Sequence, residues 1–198
     1  LDINNFEASV GPSGFFWDPI EGEMASEVPV GSGKTTMFAQ EFWIGGLDSN
    51  NNIKVAAHTY RQDGNDFWPG PVGNSIDSSA DEWDNAWKVT KDQIMDHLLN
   101  FEDPFYDTPD VISNWPAHGD TLLGQNYYLA PFFDNNNDGD YTPNQGDYPL
   151  IKGDQAIYII RNDVGGEHTE SGSETVIGLE QHIMFYGFDC SLDEYLNN

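Results

Sequence analysis

Between Phe133 and Tyr141 the chain reads Asp134-Asn135-Asn136-Asn137-Asp138-Gly139-Asp140, with oxygen-bearing side chains at every second residue. Alternate oxygens on a short turning segment can converge on one hard cation, and Gly139 supplies the backbone freedom that turn needs. Aligned with the loop of a helix-loop-helix calcium site, Gly139 takes the glycine place, Tyr141 the apolar place and Thr142 the often water-mediated place. The twelfth place holds Gln145 where such loops carry a bidentate glutamate, and Asp147, two residues further on, is expected to close the site instead. The expected ligands are therefore Asp134, Asn136, Asp138, Asp140 and Asp147, binding one Ca²⁺ that orders residues 132–149. Oxygen-only donors favour Ca²⁺ or Mg²⁺ over zinc, and a flexible loop with a carbonyl contribution favours Ca²⁺. Without the glutamate the affinity is expected to be modest, on the order of 10⁻⁴–10⁻³ M. Neither flank reads as helix, with Ala130-Pro131-Phe132-Phe133 before and Gly146-Asp147-Tyr148-Pro149 after, so a free-standing loop is expected. The competing reading is a solvated Asn/Asp-rich turn. Four oxygens at alternate positions plus the glycine are more than turn chemistry alone supplies.

Other chemistry is harder to find. Gly31-Ser32-Gly33-Lys34-Thr35-Thr36 looks like the end of a phosphate-binding loop. That mechanism needs a glycine five residues before Gly33, but Val28 stands there and Pro29 removes an amide donor. Nucleotide binding is rejected on that ground. Asp48-Ser49-Asn50-Asn51-Asn52 carries one carboxylate and no glycine, and reads as a hairpin turn. His58, His97, His118, His168 and His182 show no paired metal spacing and read as core or surface residues. There is no Gly-x-Ser-x-Gly elbow and no His-Glu-x-x-His. No catalytic residue is assigned, and the chain is expected not to be an enzyme. Trp17, Trp43, Trp68, Trp83, Trp87 and Trp115 could include a sugar-stacking platform, though such residues more often build a β core.

The charge balance excludes whole classes of partner. Thirty-four acidic side chains against 7 basic ones give a formal net charge of −27 over 198 residues. Such a surface repels nucleic-acid phosphates and anionic lipid, while attracting divalent cations. With 38% hydrophobic residues the chain can still bury a core. A lone cysteine, Cys190, allows no disulfide within the chain. No stretch is long and apolar enough to span a bilayer, so membrane insertion is not expected. The chain starts at Leu1, which suggests processing.

The elements that must hold the loop are mostly strands. Residues 38–46 (FAQEFWIGG) and 53–61 (IKVAAHTYR) read as a hairpin around the 48–52 turn. Residues 83–89 read as a short helix or strand. Thr90-Lys91-Asp92-Gln93 has the form of a capping box, predicting a helix over 91–100 with Ile94, Met95 and Leu98 facing inward. Residues 155–161 (QAIYIIR) and 175–188 are further strands, joined by a loop over 165–173. The expected fold is a single mainly β module over 1–198, antiparallel and β-sandwich-like, with long loops and one short helix.

Several stretches resemble the N-terminal region of large secreted Bacteroidota proteins that carry type IX secretion sorting signals. The matching residues include Leu1-Asp2-Ile3-Asn4-Asn5, Trp43-Ile44-Gly45-Gly46-Leu47-Asp48, Asp66-Phe67-Trp68-Pro69-Gly70-Pro71 and Asn114-Trp115-Pro116-Ala117-His118-Gly119-Asp120. The longest block runs from Leu129 through Asp163 and contains the acidic loop. The resemblance spans nearly the whole chain. It implies export to the cell surface or medium, contact with the type IX secretion machinery on the way, and continuation past Asn198 into further β structure. It implies no chemistry. The leading expectation is thus a calcium-stabilised structural or interaction module, engaging other surface proteins or glycans; the alternatives are a carbohydrate-binding module and a fragment of a secreted hydrolase.

Overall fold

A computed structural model describes residues 1–11, 26–59, 64–73, 80–173 and 176–189, with only the backbone of residues 80–81. Trp17, Cys190 and the ends of two expected strands fall outside the described residues. The chain is mainly β and every strand pairing is antiparallel, as expected. In chain order the strands are β1 (Glu7–Ala8), β2 (Ser26–Glu27), β3 (Trp43–Leu47), β4 (Ile53–Ala57), β5 (Trp68–Pro69), β6 (Trp87–Thr90), β7 (Phe132–Phe133), β8 (Tyr148–Pro149), β9 (Gln155–Asn162) and β10 (Glu180–Gly187). The helices are α1 (Ala80–Trp83), α2 (Lys91–Asn100) and α3 (Asp110–Ser113).

The central strand is β9, and all eight of its residues are buried. A strand covered on both faces reads as an unbroken apolar run, which Ala156-Ile157-Tyr158-Ile159-Ile160 supplies. One edge pairs along its whole length with β10. The other edge is shared, β6 covering Gln155 to Tyr158 and β5 covering Arg161 and Asn162. Trp87, Val89, Tyr158 and Ile160 of this sheet meet Trp83, Ile94, Trp115 and Leu129 in the main core. Gly70 lets the chain pass close to that core. Its φ is 95°, and a Cβ there would stand 2.8 Å from Cγ of Trp83.

The hairpin forms as read, with Trp43 opposite Ala57 and Leu47 opposite Ile53. Its turn consumes the one carboxylate of the 48–52 run. Asp48 accepts backbone N–H bonds from Asn50 (2.8 Å) and Asn52 (2.9 Å). The Asn52 side chain, followed by these amides, holds the Asp48 carboxyl below its ordinary range. Buried charges fasten β4 to the core. Asp66 accepts from the N–H groups of Ala57, Glu170 and Ser171. Both ring nitrogens of the buried His168 lie 2.8 Å from a backbone carbonyl oxygen, Val55 O and Asp163 O. The ring lies between the buried carboxylates of Asp66 (3.9 Å) and Asp163 (3.6 Å).

Helix α2 has the predicted bounds and the predicted capping box. Thr90 Oγ1 accepts from Gln93 N–H, and the Gln93 side chain accepts from Thr90 N–H. The inward face differs from the expected one by one residue. Ile94 is buried and Leu98 packs against the core, but Met95 is 48% exposed, and His97 takes the buried place instead. Positions 94, 97, 98 and 101 form the i, i+3, i+4, i+7 stripe, which Met95 falls outside. Residues 83–89 are neither one helix nor one strand. Helix α1 ends at Trp83 and β6 begins at Trp87, with an exposed Asp84-Asn85 corner between them.

Candidate functional site

The acidic loop is closed like a purse by a two-residue ladder, Phe132 opposite Pro149 and Phe133 opposite Tyr148. The Phe133 and Tyr148 rings stack at 4.9 Å. Inside that neck the carboxylates of Asp134, Asp138 and Asp147 are turned onto the loop's own backbone. Asp134 accepts from the N–H groups of Asn137 (2.6 Å), Asp138 (3.3 Å) and Gly139 (2.8 Å). Gly139 has φ 87° and Asn137 φ 60°, the left-handed conformations that let three consecutive amides point inward. A Cβ on Gly139 would also stand 2.9 Å from the Tyr128 hydroxyl.

Asp147 closes the far end. It is fully buried, and its two oxygens accept from Asn135 N–H (2.8 Å) and Thr142 N–H (2.7 Å). One residue thereby ties together the first and last turns of the loop, in the place where sequence reasoning put a closing ligand. Its own carbonyl accepts from Nε2 of the buried His97, so α2 anchors the loop from behind. Asn136 and Asp138 lie between the ends. Asn136 Oδ1 accepts from Asp138 N–H (3.0 Å), and Asp138 Oδ1 accepts from Asp140 N–H (2.9 Å). The amide of Asp140, with the Asn136 side chain, holds the Asp138 carboxyl below its ordinary range.

Two acceptor oxygens, Asp138 Oδ2 and Gln145 Oε1, both receive hydrogen bonds from Nδ2 of Asn136. That neutral amide nitrogen marks a point where two side-chain oxygens converge. Asp140 departs from the other four expected ligands. Its carboxylate accepts from the Tyr127 hydroxyl, a bond that pushes the phenol up to about 12. The corresponding residue of helix-loop-helix calcium loops contributes its backbone carbonyl, and that oxygen is the donor Asp140 has to offer. Among the described residues no three His, Cys, Asp or Glu side chains stand as a ready metal-binding group. A cation would gather a mixed set from Asp134, Asn136, Asp138, Gln145 and the Asp140 carbonyl. That donor set is all oxygen, which fits Ca²⁺.

Sequence reasoning missed the aromatic collar around the loop. Nε2 of His118 accepts from Tyr141 N–H (2.8 Å), and Nδ1 donates to Tyr127 O (3.1 Å). The Tyr127 ring stacks on His118 with centroids 4.2 Å apart. Tyr141 donates its hydroxyl to Ile112 O (2.7 Å), and burial pushes that phenol up. These pairs lie 23 and 29 residues apart, beyond the reach of any local pattern.

The phosphate-loop lookalike has its own anion. The Glu27 carboxylate accepts from Gly31 N–H (2.8 Å) and Gly33 N–H, occupying the amides a phosphate would need. No helix follows Lys34 within the described residues 26–59. No helix among the described residues is long and apolar enough to cross a membrane. Comparison of the chain with protein-family models, with curated proteins and with solved structures finds no match.

Proposed function

We propose that the chain is a non-enzymatic structural or interaction module of an exported surface protein, and that one Ca²⁺ in the 132–149 loop rigidifies it. The observation that carries this reading is the loop's charge arrangement. Asp134, Asp138, Asp140 and Asp147 lie within 14 residues, and among the described residues no lysine or arginine pairs with any of them. Packing four carboxylates together is repulsive, and backbone amides offset that only in part. A divalent cation turns the repulsion into coordination. Asp134 Oδ2 and Asp138 Oδ1 each accept a single N–H and keep a second lone pair, so both residues can hold the turn and bind a cation together. Asp147 then acts chiefly as the clasp that keeps the ends of the loop in register.

Export, with passage through the type IX machinery, is supported by the resemblance of the chain to secreted Bacteroidota proteins. The net charge of −27 supports a module that stays hydrated and meets neither nucleic acid nor anionic lipid. Calorimetric titration of the chain with CaCl₂ tests the metal. One site with a dissociation constant on the order of 10⁻⁴–10⁻³ M is expected. No heat of binding, or binding equally strong in Asp134→Ala, would overturn it. Fractionation of the native cells tests export, and a purely cytoplasmic protein would contradict it.

A further inference from the structure

The β3–β4 hairpin leaves one edge and one face open. His58 N–H donates to Phe42 O (3.2 Å) and Asp48 N–H donates to Asn52 O (3.0 Å). Bonded and non-bonded pairs alternate in an antiparallel ladder, so Phe42, Ile44, Gly46 and Asp48 bond across to the β4 side. Trp43, Gly45 and Leu47 therefore turn their backbone N–H and C=O groups away from β4, and no described residue bonds them. The far edge of β4 is already filled. Val55 O receives the His168 ring and the Ser171 hydroxyl, and Ala57 N–H donates to Asp66. Strand β3 carries none of the devices that blunt a bare edge: no proline, no charged side chain, no bulge. Its outward residues share a face with Ile53, on which Trp43 is 68%, Leu47 65% and Ile53 74% exposed.

Two glycines in the strand show what the open edge accommodates. Glycine weakens a strand interior, and it often marks a close approach by another backbone. Among the described residues nothing requires Gly45 or Gly46. Neither has a positive φ. A Cβ on Gly45 would make ordinary contacts with Lys54 O (3.4 Å) and Val55 Cγ2 (3.6 Å), and one on Gly46 would meet nothing within 4 Å.

We propose that β3 pairs antiparallel with β3 of a second copy of the chain, about a two-fold axis at Gly45. The sequence of the strand is self-complementary in that register. Gly45 faces Gly45, and Trp43 faces Leu47 of the second copy, each pair bonded through the groups that point outward. An axis one residue to either side would set Leu47 against Glu41 or Trp43 against Ser49, and the apolar match would be lost. Carboxylates do not meet across the axis, since Asp48 falls opposite Phe42 and Glu41 opposite Ser49. Residues 43–47 carry no charge, and the one charge of β4, Lys54, lies on the opposite face with its Nζ on Val176 O. On a chain of net charge −27, this neutral strip is where two copies can approach. The contact uses no residue of the 132–149 loop, so it stands whether or not calcium binds there.

Sedimentation velocity of the whole chain tests the pairing. Two five-residue strands make a small interface, so a monomer–dimer equilibrium with a dissociation constant on the order of 10⁻⁵–10⁻⁴ M is expected. It should tighten as NaCl rises from about 0.05 to 0.5 M, because salt screens the repulsion between two acidic chains. Gly45→Lys and Gly45→Glu each set like charges directly across the axis, and each alone should dimerise at least about tenfold more weakly. An equimolar mixture of the two variants sets lysine against glutamate and should recover the dimer, which also shows that both are folded. A wild-type chain still monomeric at about 1 mM overturns the proposal. A dimer that persists in both single variants is made by another face and overturns it equally, as does one that salt dissolves. A mixture no more dimeric than its components overturns the axis at Gly45.

Discussion

Asp138→Ala and Asp147→Ala separate what calcium does for the loop from what the loop does for itself. Asp138 is exposed and bonded only to Asp140 N–H and Asn136. Its removal should cost little without metal, because solvent screens an exposed carboxylate. Asp147 is buried and holds two backbone amides at 2.7–2.8 Å. Bonds to a charged group contribute roughly 1.5–3 kcal/mol each, so losing both should cost about 3–6 kcal/mol even in chelator. Calcium adds a separate term. At a free concentration of about 2 mM and a dissociation constant of 10⁻⁴–10⁻³ M, mass action stabilises the folded chain by roughly 0.6–1.8 kcal/mol. For a chain of this size each kcal/mol moves the melting temperature by about 2–4 °C. Wild type should therefore gain about 1–7 °C from calcium, and Asp138→Ala should gain nothing while melting near wild type in chelator. Asp147→Ala should melt about 6–24 °C lower in either condition. Thermal melts of the three proteins, with calcium and with chelator, decide it. A wild-type calcium shift in Asp138→Ala would refute the ligand assignment. A chelator melt for Asp147→Ala no lower than that of Asp138→Ala would refute the clasp.

Two further substitutions probe the frame behind the loop. Burial alone pushes the Asp66 carboxyl up, but the Ser171, Ala57 and Glu170 bonds outweigh it and hold the group below its ordinary range. A lowered folded value stabilises the fold above the unfolded pKa of about 3.9 and is lost as the pH falls through the folded value. Asp66→Asn should thus cost about 2–4 kcal/mol at neutral pH, with the gap from wild type closing as the pH drops from about 4 toward 2 in denaturant titrations. Gly70→Ala forces a positive φ on a residue with a Cβ and drives that Cβ into Trp83, at about 2–4 kcal/mol together. A melting temperature within about 2 °C of wild type would mean Trp83 is loosely held there.

How legible each feature was in the sequence follows from how local its cause is. The capping box of Thr90 and Gln93 closes within four residues, and α2 starts where it says. The 48–52 turn is equally local, since Asp48 bonds Asn50 and Asn52. The apolar run at 155–161 marked a strand, although its burial along the whole length and the sharing of one edge by β5 and β6 appear only in the structure. Periodicity misled at Met95, because a helix with a histidine on its buried stripe looks less amphipathic than it is. His97 is silent in the sequence for that reason, and it is the residue through which α2 grips Asp147. The same logic applies to the site. Alternation marked Asp134, Asn136 and Asp138, and spacing marked Asp147, since all lie on one turn of chain. Asp140 obeys the alternation and still turns outward to Tyr127, which comes from a segment thirteen residues earlier. An acidic run can thus announce a closed, oxygen-lined loop while the residues that decide which of its carboxylates face inward come from the collar. His118 and Tyr141 tie that collar to the loop and to α3, through bonds that no local pattern joins.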